Sequence, residues 1–273
     1  MNRELAPLSE SAWEAVESEA REALTLHLAA RRLFDFEGPL GWDHSAIDLG
    51  DVEVLEGAAP TGAMVRRRVV RPLVELRVPF ELDRAEIERV ERGAHGADLD
   101  PVRDAARLFA AAEDTALLEG YADADVPGLM SDASHEGVAL PRDPAGFPAA
   151  VEDALEALRQ AGVAGPYTLA LGPEPYAALH RSAGEGGYPV LRHVQRLVDG
   201  PVVWAPSLRG GVVVSRRGGD FKLVCGRDAA IGYQGHDDKT VRLYLEESFG
   251  AELRGPEAAV PLLPADAGDD DAA

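Results

Sequence analysis

Cysteine is almost missing from this chain. Cys225 stands alone among 273 residues, so no intrachain disulfide can form and a cytosolic setting is the default. Basic residues are outnumbered, 27 against 48 acidic ones, for a formal charge of −21. A field of that sign opposes general nucleic-acid binding, which needs local positive charge against phosphate. It also makes copies repel, so an oligomer requires large apolar or interlocked contacts, helped by salt screening over roughly 8–10 Å. No run approaches the ~18–20 apolar residues of a membrane span. The opening residues MNRELAPLSES carry no apolar signal core. The expectation is a protein that stays where it is made, off membranes and off nucleic acid.

Reaction centres are missing as well. There is no Gly-x-Ser-x-Gly elbow. The histidines at 27, 44, 95, 135, 180, 193 and 236 are scattered, with no metal-binding spacing. The glycines around Gly184–Gly187 lack the Gly-Lys-Ser/Thr end of a phosphate loop. Carboxylates such as Glu113/Asp114 and Glu246/Glu247 define no pair, because adjacent residues point in different directions. His193 falls on the polar side of a helix, and Cys225 reads as a small buried hydrophobe. No enzyme is expected.

What is present is ordinary globular material, 46% hydrophobic, long enough for one large domain or two modest ones. Ser11-Ala12-Trp13-Glu14 matches a capping box, and Trp13, Val16, Ala20, Leu24 and Leu28 form an apolar helical stripe to about Arg32. Val52–Leu55 and Met64–Val70 read as a projecting hairpin around the loop Glu56–Gly62. Arg66, Arg67, Arg68 and Arg71 on its return strand are expected to pair with acidic neighbours. Leu73–Phe80 continues as a strand. Asp100-Pro101 opens a long central helix that Gly120 ends.

After a Pro/Gly/Asp-rich boundary at 123–148 the pattern alternates. Ala149–Ala161 is a helix, Tyr167–Leu171 a strand, Pro175–Ser182 and Val190–Val198 helices, and Val202–Ala205 a strand. The β-rich block Val212–Phe249 divides into runs at Val212–Ser215, Phe221–Cys225, Ala229–Tyr233 and Thr240–Phe249. In the last run Val241, Leu243 and Leu245 alternate with Arg242, Tyr244 and Glu246, predicting one buried and one polar face. The Asp-rich tail Pro264–Ala273 cannot build a core and is expected to be disordered.

Several long segments, in order, carry a family resemblance: LAPLSESAWEAVESEAREAL from Leu5, RRLFDFEGPLGW from Arg31 and RPLVELRVPFELDRAEIERVERG from Arg71. AGVAGPYTLAL from Ala161, GGYPVLRHVQRLVDG from Gly186 and the block RGGDFKLVCGRDAAIGY…TVRLYLEESF follow. Over roughly residues 5–262 the chain resembles the encapsulin shell proteins (family 1; linocin/bacteriocin family). The resemblance implies an α+β tailed-phage major-capsid (Hong Kong 97-type) fold. A peripheral domain with its N-terminal helix would comprise residues 1–45, 77–133 and 222–263. An extended loop would span 46–76, an axial domain 134–221, and a disordered acidic tail 264–273.

It further implies a non-catalytic subunit whose only structural partner is itself, closing into an icosahedral T=1 shell in the cytoplasm. The shell would enclose a cargo enzyme, a dye-decolourising peroxidase or a ferritin-like iron-oxidising protein, held by a C-terminal peptide. The peptide would dock at Leu28, Arg31, Arg32, Leu33 and Asp35, opposite Asp228, Ile231, Gly232 and Tyr233. A five-fold pore would be lined by Glu185, Gly186, Gly187 and Tyr188, with Glu185 favouring cations. No cofactor is expected: where some relatives stack a flavin on a tryptophan, Phe80-Glu81-Leu82-Asp83 is followed here by Arg84-Ala85. A phage capsid protein of the same fold is the main alternative, and a soluble hydrolase or protease a weaker one.

Overall fold

A computed structural model describes residues 1–55, 62–182 and 189–265. The N-terminal helix α1, Glu10–His27, starts where the Ser9 side chain accepts the Ala12 N–H, so the cap is Ser9 rather than Ser11. It stops at His27, and a separate 3-10 turn covers Ala30–Arg32. The strands β1 (Asp35–Glu37), β2 (Ala46–Leu55), β3 (Val65–Pro72) and β4 (Val74–Asp83) follow. After them come α2 (Arg84–Glu91) and the long α3 (Asp100–Leu118). Asp100 is the first residue of α3, not its cap, and Gly120 ends it with a left-handed φ of 86°.

β5 (Val138–Leu140), α4 (Phe147–Gln160), β6 (Tyr167–Leu171), α5 (Pro173–Arg181) and α6 (Val190–Val198) come next. β7 (Val202–Trp204), β8 (Gly211–Ser215), β9 (Phe221–His236), β10 (Thr240–Leu253) and β11 (Ala259–Pro264) complete the order.

Three sheets result. One has the order β1-β9-β10-β4, a second β5-β11-β8-β6-β7, and the third is the hairpin β2-β3. The two expected runs at 221–225 and 229–233 are one strand, β9, joined to β10 by a ladder with register shifts near Glu246–Phe249. The expected polar face of β10 is covered too: Tyr244 and Glu246 are buried, because β10 is an interior strand between β9 and β4. β11 leaves this ladder and pairs with β8 and β5, so the segment 222–263 contributes to both larger sheets. Pro264, expected to open the tail, is the last residue of β11 and pairs with Leu140. Residues 266–273 lie outside the described residues.

Buried apolar side chains fall into two clusters. One gathers Trp13, Val16, Phe80, Phe109, Ile231 and Leu243 between α1, α3 and the four-stranded sheet. The other gathers Phe34, Leu117, Leu129, Phe147, Leu169, Val213 and Phe249 around the five-stranded sheet. The helix α3 runs through both, with Phe109 in the first and Leu117 in the second.

The hairpin is different. Ile47 at its root is buried beside Gly250, but Val52 (47% exposed) and Val54 (55%) have little cover. Its arginines pair locally, Arg67 with Glu53 and Arg68 with Asp48, while Arg71 reaches Asp125 at 3.6 Å. A two-stranded arm with half-exposed valines is only marginally stable in water by itself, and cover from a partner would stabilise it. Among the described residues no helix is long and apolar enough to cross a membrane.

Candidate functional site

Between α1 and β9 runs a groove of about 550 Å³. The α1 wall is built by helical periodicity: Ala20, Leu24 and Leu28, four apart, face it as a smooth apolar strip, with Glu17, Arg21 and Thr25 beside them. The opposite wall is Asp228, Ala229, Ala230 and Ile231 of β9, with Leu245 of β10 behind. Arg3 closes one end. Its guanidinium meets Glu17 at 2.6 Å and lies over the Trp13 ring, 4.2 Å from the centroid. Arg31 and Arg32 stand at the other end.

Five of the sequence-predicted residues meet here: Leu28, Arg31, Arg32, Asp228 and Ile231. Four do not. Leu33 and Asp35 line a separate cavity of about 140 Å³, where the Asp35 carboxylate accepts the Gly219 N–H at 2.6 Å and fastens a tight turn. Gly232 sits under the Tyr244 ring, leaving no room for a side chain. Tyr233 pairs with His236, and its N–H donates to the Met1 carbonyl at 3.0 Å, just past the groove's end. The pore residues Glu185, Gly186, Gly187 and Tyr188 lie outside the described residues. Glu17, Ala20, Arg21 and Leu24 were legible only as helix faces, one apolar and one solvated, because nothing in α1 says that β9 stops short of it.

Beneath the groove lies a polar seam that adjacency arguments dismissed. Arg31 holds Glu113 through a two-point fork at 2.8 Å for both bonds, and reaches Glu247 and Asp228 at 2.7 Å each. The Glu113 and Glu247 side chains are fully buried, while Asp228, 44% exposed, faces the groove. The neighbour Asp114 points elsewhere and accepts the N–H groups of Ala29 and Ala30 at 3.0 and 2.9 Å, capping the turn that carries Arg31. Glu246, on the other face of β10, meets Arg77 and Arg227. The seam thus crosses the sheet between the two apolar clusters, where the β9–β10 register shifts.

These surroundings move the titrations. Burial works to lower the Arg31 pKa, but its bonds to Glu113 and the charges of Glu113 and Glu247 more than offset it and keep the cation fixed. Burial, then repulsion from Glu113, drives Glu247 well above the carboxylate range. Burial pushes the Cys225 thiol up to about 12, with the charges of Asp228 and Glu247 adding to it. Burial likewise lifts Asp114 from 3.8 to about 7, against the pull of its two N–H donors.

The folded chain therefore keeps a proton on Asp114 that the unfolded chain releases near 3.8. This contribution to stability is complete at the acid end and is lost as pH rises through about 7, on the order of 4 kcal/mol in all. Urea unfolding midpoints measured from pH 5 to 8 should fall more steeply for the natural chain than for Asp114→Asn. Equal slopes would remove Asp114 from the account.

A family model described as "Encapsulating protein for peroxidase" (the linocin family) matches residues 1–250. The type 1 encapsulin shell protein of Rhodospirillum rubrum is 51% identical over 265 residues, covering 95% of each chain. That of Mycobacterium tuberculosis is 42% identical, covering 95% of this chain and 97% of the relative. Among solved structures, the virus-like particle from Pyrococcus furiosus superposes with a TM-score of 0.62 at 17% identity, over 92% of this chain and 98% of that one. The Mycobacterium phage Bobi structure reaches 0.58 at 12% identity, over 88% and 91%. These structures establish a shared tailed-phage capsid fold.

Proposed function

This chain belongs to the type 1 encapsulin shell-protein family, and from that membership we propose that its copies close into an icosahedral cytoplasmic compartment around a cargo enzyme. The observation that carries the proposal is the hairpin β2–β3, with Val52 and Val54 about half exposed on a protomer charged −21. A surface of that kind is covered only by a partner, and the partner in a capsid-type fold is another copy. In this reading the four-stranded sheet with α1 and α3 is the body of the peripheral domain. The axial domain, residues 134–221, supplies β5, β6, β7 and β8 with α4, α5 and α6, its sheet completed by β11 from the peripheral segment, and the hairpin is the arm that clasps a neighbour. The role is structural, and chemistry is left to the cargo.

The groove between α1 and β9 takes the cargo's C-terminal peptide. Its apolar floor of Leu24, Leu28 and Leu245 and its charged ends at Arg3, Arg31, Arg32 and Asp228 suit a short extended segment. A peroxidase is the preferred cargo, since the matching family is described as encapsulating one. The test is a variant that fills the groove without touching the seam. Ala229→Trp, co-expressed with a peroxidase cargo, should leave particles intact and reduce the cargo retained inside them by roughly tenfold or more, as loss of a peptide anchor does. Undiminished loading would reject the groove, and loss of particles would be answered by the smaller Ala229→Leu.

A further inference from the structure

β9 is an interior strand along only part of its length. On the side away from β10, residues Lys222–Val224 pair with β1. The carbonyls of Cys225 and Gly226 then accept the N–H groups of Leu40 and Gly41 at 3.0 and 2.8 Å. At the far end the Tyr233 N–H donates to Met1. Between these two covers lies a window, residues 227–232, and it opens into the groove through Asp228, Ala229, Ala230 and Ile231.

The ladder tells which groups the window presents. Leu243, Tyr244, Leu245 and Glu246 face Tyr233, Gly232, Ile231 and Ala230 without a shift. In an antiparallel pair, alternate residues turn both backbone groups toward the partner strand and the residues between them turn both away. Tyr233 turns its N–H outward, to Met1, so Ile231, two residues back on the same side, turns its N–H and C=O outward as well. Among the described residues no backbone or side-chain group meets them. The buried Ile231 side chain belongs to the apolar cluster, so this unpaired edge lies on rigid scaffold, and the small residues Ala229, Ala230 and Gly232 let another backbone approach.

We infer that the docked segment adds a short strand to the free edge of β9, exchanging backbone hydrogen bonds with Ile231 in the window between β1 and Met1. The inference rests on the reading of this groove as the cargo-peptide site and specifies how that site recognises its ligand. The window sets the class of ligand. From Glu17 to Leu28 the α1 wall spans roughly 16 Å at 1.5 Å per residue, which an extended chain of about five residues covers. Covers at both ends exclude a long strand from a neighbouring copy and admit a short linear segment.

Side chains of such a segment alternate, one set down onto Leu24, Leu28 and Leu245, the other toward solvent past Arg21 and Arg32. The ligand is therefore an extended peptide with apolar residues at every second position and no proline where it must donate to the Ile231 carbonyl.

The test replaces backbone donors one at a time. The probe is a synthetic peptide of the C-terminus of the enzyme recovered from shells purified from the source cell, titrated onto cargo-free shells of the full chain. Each peptide nitrogen is N-methylated in turn, which deletes a donor and keeps every side chain. One position within the apolar-alternating stretch should lose about tenfold in affinity, with its two sequence neighbours, whose N–H groups point away, close to the unmodified peptide. Uniform tolerance of N-methylation by a peptide that still binds would overturn strand addition and leave groove docking standing. No binding of the unmodified peptide would overturn the docking reading and strand addition together.

Discussion

Arg31→Met is expected to cripple the folded protomer. The substitution keeps an unbranched apolar stem, shorter than that of arginine, and removes the one cation that, among the described residues, touches both Glu113 and Glu247, whose side chains have no exposed surface. Stripping Arg31 leaves Glu113 without its counter-charge and both buried side chains without their hydrogen-bond donor, at a cost of about 3–5 kcal/mol. That is a large part of the 5–15 kcal/mol, roughly, that holds a domain folded. The melting temperature should drop by about 10 °C for a chain of this size. Combining Arg31→Met with Glu113→Gln and Glu247→Gln should recover most of the loss, because a neutral cluster carries no stranded charge. A single variant that melts like the natural chain, or a triple variant no better than the single, would refute the seam as a structural element.

Val52→Asp together with Val54→Asp should abolish particles while leaving the protomer folded. Both positions sit on one face of β2 and are about half exposed. They stand opposite Arg68 and Arg66 on β3, so the new carboxylates find local partners and the hairpin keeps its register. What they cannot do is enter an apolar contact with a neighbour, and they add to a charge of −21 that already opposes association. The expected result is a near-complete shift from particles to protomers in sedimentation, with an unchanged far-ultraviolet dichroism spectrum. Raised salt should recover little of it, because screening weakens repulsion without restoring buried apolar area. Particles of normal size from this variant would show that the hairpin clasps nothing.

Elements with several turns or a clear alternation were legible in the sequence. β6 at Tyr167–Leu171 and α6 at Val190–Val198 have the expected bounds. The three-residue strands β1 and β5 are too short for any period to show. β11 contains Pro261, which speaks against a strand until its pairing with Val212 is seen. α2 is mostly charged, and its capping residue Asp83 also closes β4, so one signal served two elements.

The groove was half legible for a similar reason. Ala20, Leu24 and Leu28 look the same whether a helix stripe faces core or cleft, and only the edge of β9 decides. The seam was least legible. Arg31 meets Glu113 across 82 residues and Glu247 across 216, and no local pattern separates those carboxylates from the many solvated ones. Glu113 and Asp114 do point apart, as adjacent helix residues must, yet both reach the segment around Arg31 because it lies across α3.

Electron microscopy of the natural chain expressed alone, beside the Val52→Asp/Val54→Asp variant, tests the central claim most directly. The account predicts hollow closed particles of uniform diameter for the first and dispersed protomers for the second. A natural chain that stays dispersed at every salt concentration would contradict it.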